Sequence, residues 1–236
     1  MPLPRPLALL PAAALALPGA ARAEAAGAPP WPDTYLSRVE ATAVVQSLNA
    51  TLLASRSATA TLEGWCAAHD MAQTPRLVAR LVRDVEKPAT EDTRRRLAVG
   101  PEEPLRYRRV RLACGDHVLS EADNWYVPAR LTPEMNRVLE TTDTPFGRAV
   151  QALGTTRQTV GAEPLWQPLP AGWEQAPPPK AACGPLAVPE RLFSHRAVLF
   201  TADRQPFSEV VETYTAAVLD FRRAPRPADP ACPGEP

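Results

Sequence analysis

Arginines and glutamates on strand-like segments are the residues whose types and spacing could do chemistry. In the stretch Tyr107–Cys114, Val110, Leu112 and Cys114 share one face, and Tyr107, Arg109 and Arg111 share the other. Further on, Glu212 shares a face with Val210 and Tyr214, whereas Glu209 points the opposite way. A carboxylate on an apolar face is costly unless it is paired or protonated. An arginine reaching the same pocket could hold a ligand carboxylate by two parallel hydrogen bonds. Together they could orient an anion and manage a hydroxyl or a proton. A buried arginine–glutamate pair, or a glutamate facing water from an edge strand, is the plainer structural role for the same residues.

Other chemistries find little support. There is no phosphate-cradling glycine loop, no H-E-x-x-H and no G-x-S-x-G. His69, His117 and His195 have no spacing that argues for a metal, and the cysteines lack the C-x-x-C spacing of a zinc site. Lysine plus arginine equals aspartate plus glutamate, 26 each, so no single-sign field would drive non-specific binding to nucleic acid or an anionic membrane. The run Arg94-Arg95-Arg96 is offset by Glu91, Asp92, Glu102 and Glu103 and reads as part of a solvated loop.

The elements that must position these residues follow from periodicity. Apolar residues from Thr34 to Ser55 recur at helical spacing, and a shorter helical stretch covers about Ala58 to His69. Arg76–Val85 reads as a strand. Leu105–Ala113 and Val118–Val127 are strands joined through Cys114-Gly115-Asp116-His117, a hairpin turn. Thr132-Pro133-Glu134 opens a helix, since threonine caps, proline suits the first turn and a carboxylate suits the helix dipole. A second opens at Asp143-Thr144-Pro145 and carries Phe146, Val150 and Leu153 on one face. Strands follow at about Thr155–Gly161, Leu192–Thr201 and Phe207–Leu219, with a proline-rich surface insertion over 167–190. Runs of strands without regular helical crossovers predict an α+β domain over 34–222, an antiparallel β-sheet with helices packed on one side.

The first 23 residues read as an export signal: Arg5, an apolar run from Leu7 to Leu17, Pro18-Gly19, then the small-x-small site Ala21-Arg22-Ala23. The run is too short to cross a bilayer comfortably, so no stable membrane span is expected. Export would place the chain in the periplasm or outside the cell; without a true signal it would be cytoplasmic. An oxidising compartment would suit a disulfide between Cys183 and Cys232, both in proline-rich segments. Cys66 and Cys114, in a helical and a strand pattern, read as small buried hydrophobes. Residues 223–236 read as a disordered tail.

The central block adds a resemblance. Arg106-Tyr107-Arg108-Arg109-Val110-Arg111-Leu112-Ala113-Cys114-Gly115-Asp116, closing in Trp125-Tyr126-Val127-Pro128, resembles the chorismate lyases. The similarity continues through Asp143-Thr144-Pro145-Phe146-Gly147-Arg148, Leu165-Trp166, Gln205-Pro206 and Glu212-Thr213-Tyr214. Upstream, Leu62-Glu63 before Trp65-Cys66 falls where the family has a helix at its pocket. The resemblance spans about Thr59 to Leu219 and implies the chorismate lyase-like fold. By position, Arg109 matches the arginine that binds the ring carboxylate, and Phe146 the residue whose backbone N–H helps hold it. Glu212 matches the glutamate bonded to the ring hydroxyl, and Cys66 falls near a further pocket position. A one-residue shift near Pro206 leaves Glu209 as the rival carboxylate. Where the family places a second arginine, this chain has Asn124.

The activity so implied expels the enolpyruvyl group of chorismate as pyruvate and leaves 4-hydroxybenzoate, with no metal or cofactor. That enzyme reading makes the chain a carbon–oxygen lyase with Arg109 and Glu212 as catalytic residues. The family works in the cytoplasm, so an exported chain suits a second reading, a binding protein for a small aromatic or cyclic carboxylate. The same fold serves as the ligand-sensing half of certain transcription regulators, a pattern that Gly115, Glu121 and Pro128 resemble. Residues 34–70 offer no basic recognition helix, so a nucleic-acid partner is not expected.

Overall fold

The structure is a computed structural model and describes residues 30–224. The expected signal segment and Cys232 lie outside the described residues, as does the expected tail apart from Arg223 and Ala224. Two helices come first, α1 over Tyr35–Ala54 and α2 over Ala58–Ala68. Thr34 and Ser57 cap them, their side chains accepting from the backbone N–H of Ser37 and Ala60. Then follow β1 (Leu77–Val82), α3 (Glu91–Arg96), β2 (Arg106–Cys114) and β3 (His117–Tyr126). After these come α4 (Pro133–Thr141), α5 (Phe146–Ala149), β4 (Thr156–Pro164), β5 (Arg191–Phe200) and β6 (Pro206–Thr215). Gly115 closes the β2–β3 hairpin at φ +56°, a left-handed conformation that glycine adopts without Cβ strain.

The six strands form one antiparallel sheet in the order β1-β2-β3-β6-β5-β4. This is the α+β class the pattern predicts. The two long helices lie on one face. Val45, Leu48 and Leu52 of α1 and Leu62 and Cys66 of α2 share a core with Val110, Leu112, Ala122, Val210 and Tyr214 of the sheet. Continuous burial of that apolar set is the main stabilising term. No helix among the described residues is long and apolar enough to cross a membrane.

Two expectations change. Residues 91–96 form a helix, not a loop: Thr90 caps it, Glu91 and Asp92 occupy its first turn and three arginines its last, a charge order that suits the helix dipole. The helix docks on the face opposite α1. There Arg96 makes a bidentate ion pair with Glu209, at 2.7 and 2.9 Å, and Arg196 pairs with the same carboxylate. Cys66 and Cys114 are also more than packed hydrophobes, because they form a disulfide that ties α2 to the end of β2. Cys183 is disulfide-bonded as well. The insertion over 167–190 packs against residues 31–33, just ahead of α1, and against α1 itself. Asp33 donates to the Gly184 carbonyl and Leu186 to that of Trp31, both at 2.6 Å.

Glu209 is fully buried, which by itself would raise its pKa, yet the guanidinium groups of Arg96 and Arg196 hold it below the usual carboxylate value. Folding therefore favours the ionised form. The resulting stability is fully present above the unfolded-state pKa of about 4.3 and is lost as pH falls through the lower folded value. Urea unfolding is expected to show Glu209→Ala losing about 3 kcal/mol at neutral pH, through two stranded arginines. Glu209→Gln should show a smaller drop in stability on acidification than the parent. Replacing both Cys66 and Cys114 by alanine should cost about 2–4 kcal/mol in the same measurement.

Candidate functional site

A cavity of about 630 Å³ opens between the helix-bearing face of the sheet and the segments around α2 and α5. Its floor is Arg108, Val110 and Leu112 of β2, Ala122 and Asn124 of β3, and Val210 and Glu212 of β6. These side chains meet because residues two apart on a strand share a face, and the register sets Val110 beside Ala122 and Ala122 beside Glu212. Thr59, Ala60 and Glu63 of α2 and Phe146 and Arg148 of α5 form the opposite wall, while Arg157 and Leu199 close the side toward β4. Gly154, in the left-handed conformation at φ +60°, turns the chain into β4.

Four arginines and two glutamates line this space, an excess of two positive charges (4 − 2). Two arginines are matched: Arg148 pairs with Glu63, and Arg157 donates to Glu212 Oε2 at 2.6 Å. Arg108 is different. It is 6% exposed, and among the described residues no carboxylate lies within ion-pair distance. Its Nε and Nη2 donate to the carbonyls of Leu139 and Thr144, each at 3.0 Å. Leu139 belongs to the last turn of α4, whose carbonyl ends carry partial negative charge. Burial pulls the Arg108 pKa down to about 10, so the group stays cationic at neutral pH.

The structure brings some of the sequence-predicted residues together at the cavity and separates others from it. Glu212 and Phe146 line the cavity together. Glu212, not Glu209, is the carboxylate on that face, since Glu209 lies on the opposite one within reach of Arg96 and Arg196. Arg109 is not at the cavity. It lies on the far face, 3.4 Å from Glu121 and 3.8 Å from Asp123. Arg108 occupies the place expected of it, as alternation requires of a residue two before Val110. That signal was in the strand pattern, which set Arg109 with Tyr107 and Arg111, away from Val110 and Leu112. Cys66 is wholly buried in its disulfide and does not line the cavity. Arg157 gave no sequence signal, because β4 has no buried residue and its neighbours alternate without an apolar face.

Beside Glu212, the Tyr214 hydroxyl donates to the same Oε2 at 3.2 Å. His195 is paired with Glu212 in register across β5 and β6, and its Nε2 lies 2.7 Å from Asn49 Oδ1. Burial, reinforced by Arg157, pushes the His195 pKa down to about 4, so the ring is neutral near pH 7. Asn124 accepts from Ser208 Oγ at 2.9 Å and offers the cavity a neutral polar group. The site thus holds a buried cation at one end, a paired carboxylate at the other and apolar side chains between.

No family model matches the sequence. Among solved structures, YydK from Bacillus subtilis is similar at 15% identity and TM-score 0.37, over 63% of this chain and 62% of that one. The effector domain of PhnF from Mycobacterium smegmatis is similar at 14% identity and TM-score 0.40, over 59% and 81%. The C-terminal domain of the histidine utilization repressor from Pseudomonas syringae pv. tomato is similar at 14% and 0.39, over 65% and 100%. Likeness at these scores assigns nothing to the site. A protein of Sinorhizobium fredii, "Uncharacterized protein y4mC", is 58% identical over 193 residues, 81% of each chain. With that identity along four-fifths of its length, the chain belongs to the same family as y4mC.

Proposed function

We propose that this protein binds a small aromatic or cyclic carboxylate, with Arg108 taking the carboxylate and Glu212 facing the ligand's other end. The observation that carries this reading is the buried guanidinium of Arg108 on the cavity floor beside Val110, with no carboxylate partner among the described residues. A cation held only by carbonyls in a low-dielectric site gains most from an anion that enters with it. Arg108 and Glu212 stand two strands and two residues apart in register, about 12 Å between Cα atoms by sheet geometry. Once both side chains reach inward, that leaves room for one ring with polar groups at opposite ends. Phe146, stacked on Phe207, supplies a flat apolar wall.

The finer reading, elimination of pyruvate from chorismate to give 4-hydroxybenzoate, is supported by Glu212 sharing the cavity with Arg108 and by the resemblance of the central block. Asn124 at the second-arginine position favours binding without turnover. The Cys66–Cys114 disulfide supports export to an oxidising compartment, away from cytoplasmic chorismate. The proposed ligand is therefore met after export, in the periplasm or outside the cell.

Titration calorimetry with 4-hydroxybenzoate is the test. Binding to the parent should weaken about 10- to 100-fold in Arg108→Met, as expected for a lost charge-assisted bond. It should be unchanged in Arg109→Met, whose side chain lies on the other face. Weakening by Arg109→Met alone would sink the assignment. Incubation with chorismate, followed by ultraviolet absorbance, separates the two readings: product formation abolished by Glu212→Gln would make the protein a lyase, and no product above background would leave it a binder.

A further inference from the structure

A second concavity, of about 390 Å³, lies where β1 ends. Val82, the last residue of β1, pairs with Arg109, and β2 runs on to Arg106 without a partner on that side. Arg83, Arg106, Arg108, Arg109 and Tyr126 line the groove so opened. Arg106 pairs with Glu140, and Arg109 with Glu121 and Asp123. Arg83 and Arg108 make no ion pair among the described residues, and Glu86, also on the groove, pairs with neither. Both turn instead to the end of α4. Arg83 Nη2 donates to the Glu140 carbonyl at 3.1 Å, beside the bonds from Arg108 to Leu139 and Thr144. A helix end carries only about half a negative charge, too little to neutralise two guanidinium groups. Arg108 is the one described residue that lines both this groove and the larger cavity.

Tyr126 adds a further donor. The residue is only 2% exposed, its ring packed on Phe146 beside Phe207 and Leu139. Yet its hydroxyl makes no hydrogen bond with any described residue, although Tyr126 lines the groove. Burial raises its pKa against the pull of Arg106 and Arg108, so the hydroxyl keeps its proton. A buried hydroxyl left unbonded is unfavourable, and a ligand that accepts from it removes the penalty. Nη1 of Arg108 and the Nε and Nη1 of Arg83 likewise donate to no described residue. The positive charge of Arg83 adds to the burial that lowers the Arg108 pKa, as two neighbouring guanidinium groups must. We propose that this groove is a second binding site, which takes a phosphate group on Arg83, Arg108 and the Tyr126 hydroxyl. Donors from three segments suit an anion with oxygens on several sides better than a planar carboxylate. An anion in the groove and a carboxylate in the cavity would draw on one guanidinium, Arg108, and repel each other. Each then weakens the other by the same factor. That coupling, unlike the groove site, rests on the cavity being a carboxylate site.

Titration calorimetry of the full chain with inorganic phosphate, at an ionic strength held constant with chloride, tests the groove. The parent should bind saturably. Arg83→Met and Tyr126→Phe should each weaken binding about 10-fold, the worth of one charge-assisted hydrogen bond. Arg56→Met, which alters the cavity but not the groove, should leave phosphate affinity unchanged. Tyr126→Phe removes a hydroxyl that no described residue uses, so its stability to urea should match the parent's. Phenyl phosphate run in parallel separates the two sources of the group: tighter binding of it assigns the groove to an ester, tighter binding of phosphate to the free ion. No saturable binding of either probe, or binding that Arg83→Met and Tyr126→Phe leave intact, overturns the site. Saturating phosphate should also weaken 4-hydroxybenzoate about 5-fold or more in the parent, an effect that Arg83→Met should lose. An unchanged 4-hydroxybenzoate affinity overturns the coupling. Phosphate binding without any 4-hydroxybenzoate binding overturns instead the carboxylate reading of the cavity and leaves the groove site standing.

Discussion

Along β6, Val210, Glu212 and Tyr214 point to the helix-bearing face while Glu209 and Val211 point to the other, and the same alternation separates Arg108 from Arg109 on β2. Everything chemical about this protein depends on that period of two. A slip of one residue would carry Arg109 and Glu209 into the cavity and send Arg108 and Glu212 out of it. The slip is resisted because Val110, Leu112, Val210 and Tyr214 share the buried face with those charges and pack under α1 and α2. The disulfide from Cys66 to Cys114 pins α2 to the end of the strand that carries Arg108. Hydrophobic register and site register are the same constraint.

Each buried charge is stabilised in a different way. Glu209 sits between two arginines, one from α3 and one from β5, so it fastens a helix to the far face of the sheet. Glu212 has one arginine and one tyrosine hydroxyl on a single oxygen. Arg108 has no carboxylate partner among the described residues and relies on the carbonyls of Leu139 and Thr144. Saturated pairs of the first kind hold structure together, since any further ligand would have to displace a partner. Incompletely matched groups of the second and third kind leave interaction capacity facing the cavity. The gradient from saturated to unsaturated charge separates the far face of the sheet from the face that lines the cavity.

The α5 segment shows how little regular structure such a wall requires. It is a four-residue helix followed by a 3-10 turn, held by Phe146 packing on Phe207 and Tyr126 and by the Arg148–Glu63 pair to α2. Two aromatic contacts and one ion pair position the lining that faces Arg108 and Glu212.

Local chemistry decided much of this fold. Thr34, Ser57 and Thr132 cap their helices, Gly115 turns the hairpin, and the strand order without regular helical crossovers leads to an antiparallel sheet. Those signals act over a few residues, so the chain displays them directly. The alternation that exposes Arg108 to the cavity was legible as well, in the two-residue step to Val110, and the pull of a family position toward Arg109 ran against it. Three features arise only when distant segments meet: the Arg157–Glu212 contact across 55 residues, the Arg96–Glu209 clamp across 113 and the Cys66–Cys114 bond across 48. Arg157 belongs to a strand whose residues look solvated, and Arg96 to a run of charges that local composition neutralises. Their partners are set by strand order and helix docking, and these in turn follow from burying one apolar face rather than from any local pattern near either arginine.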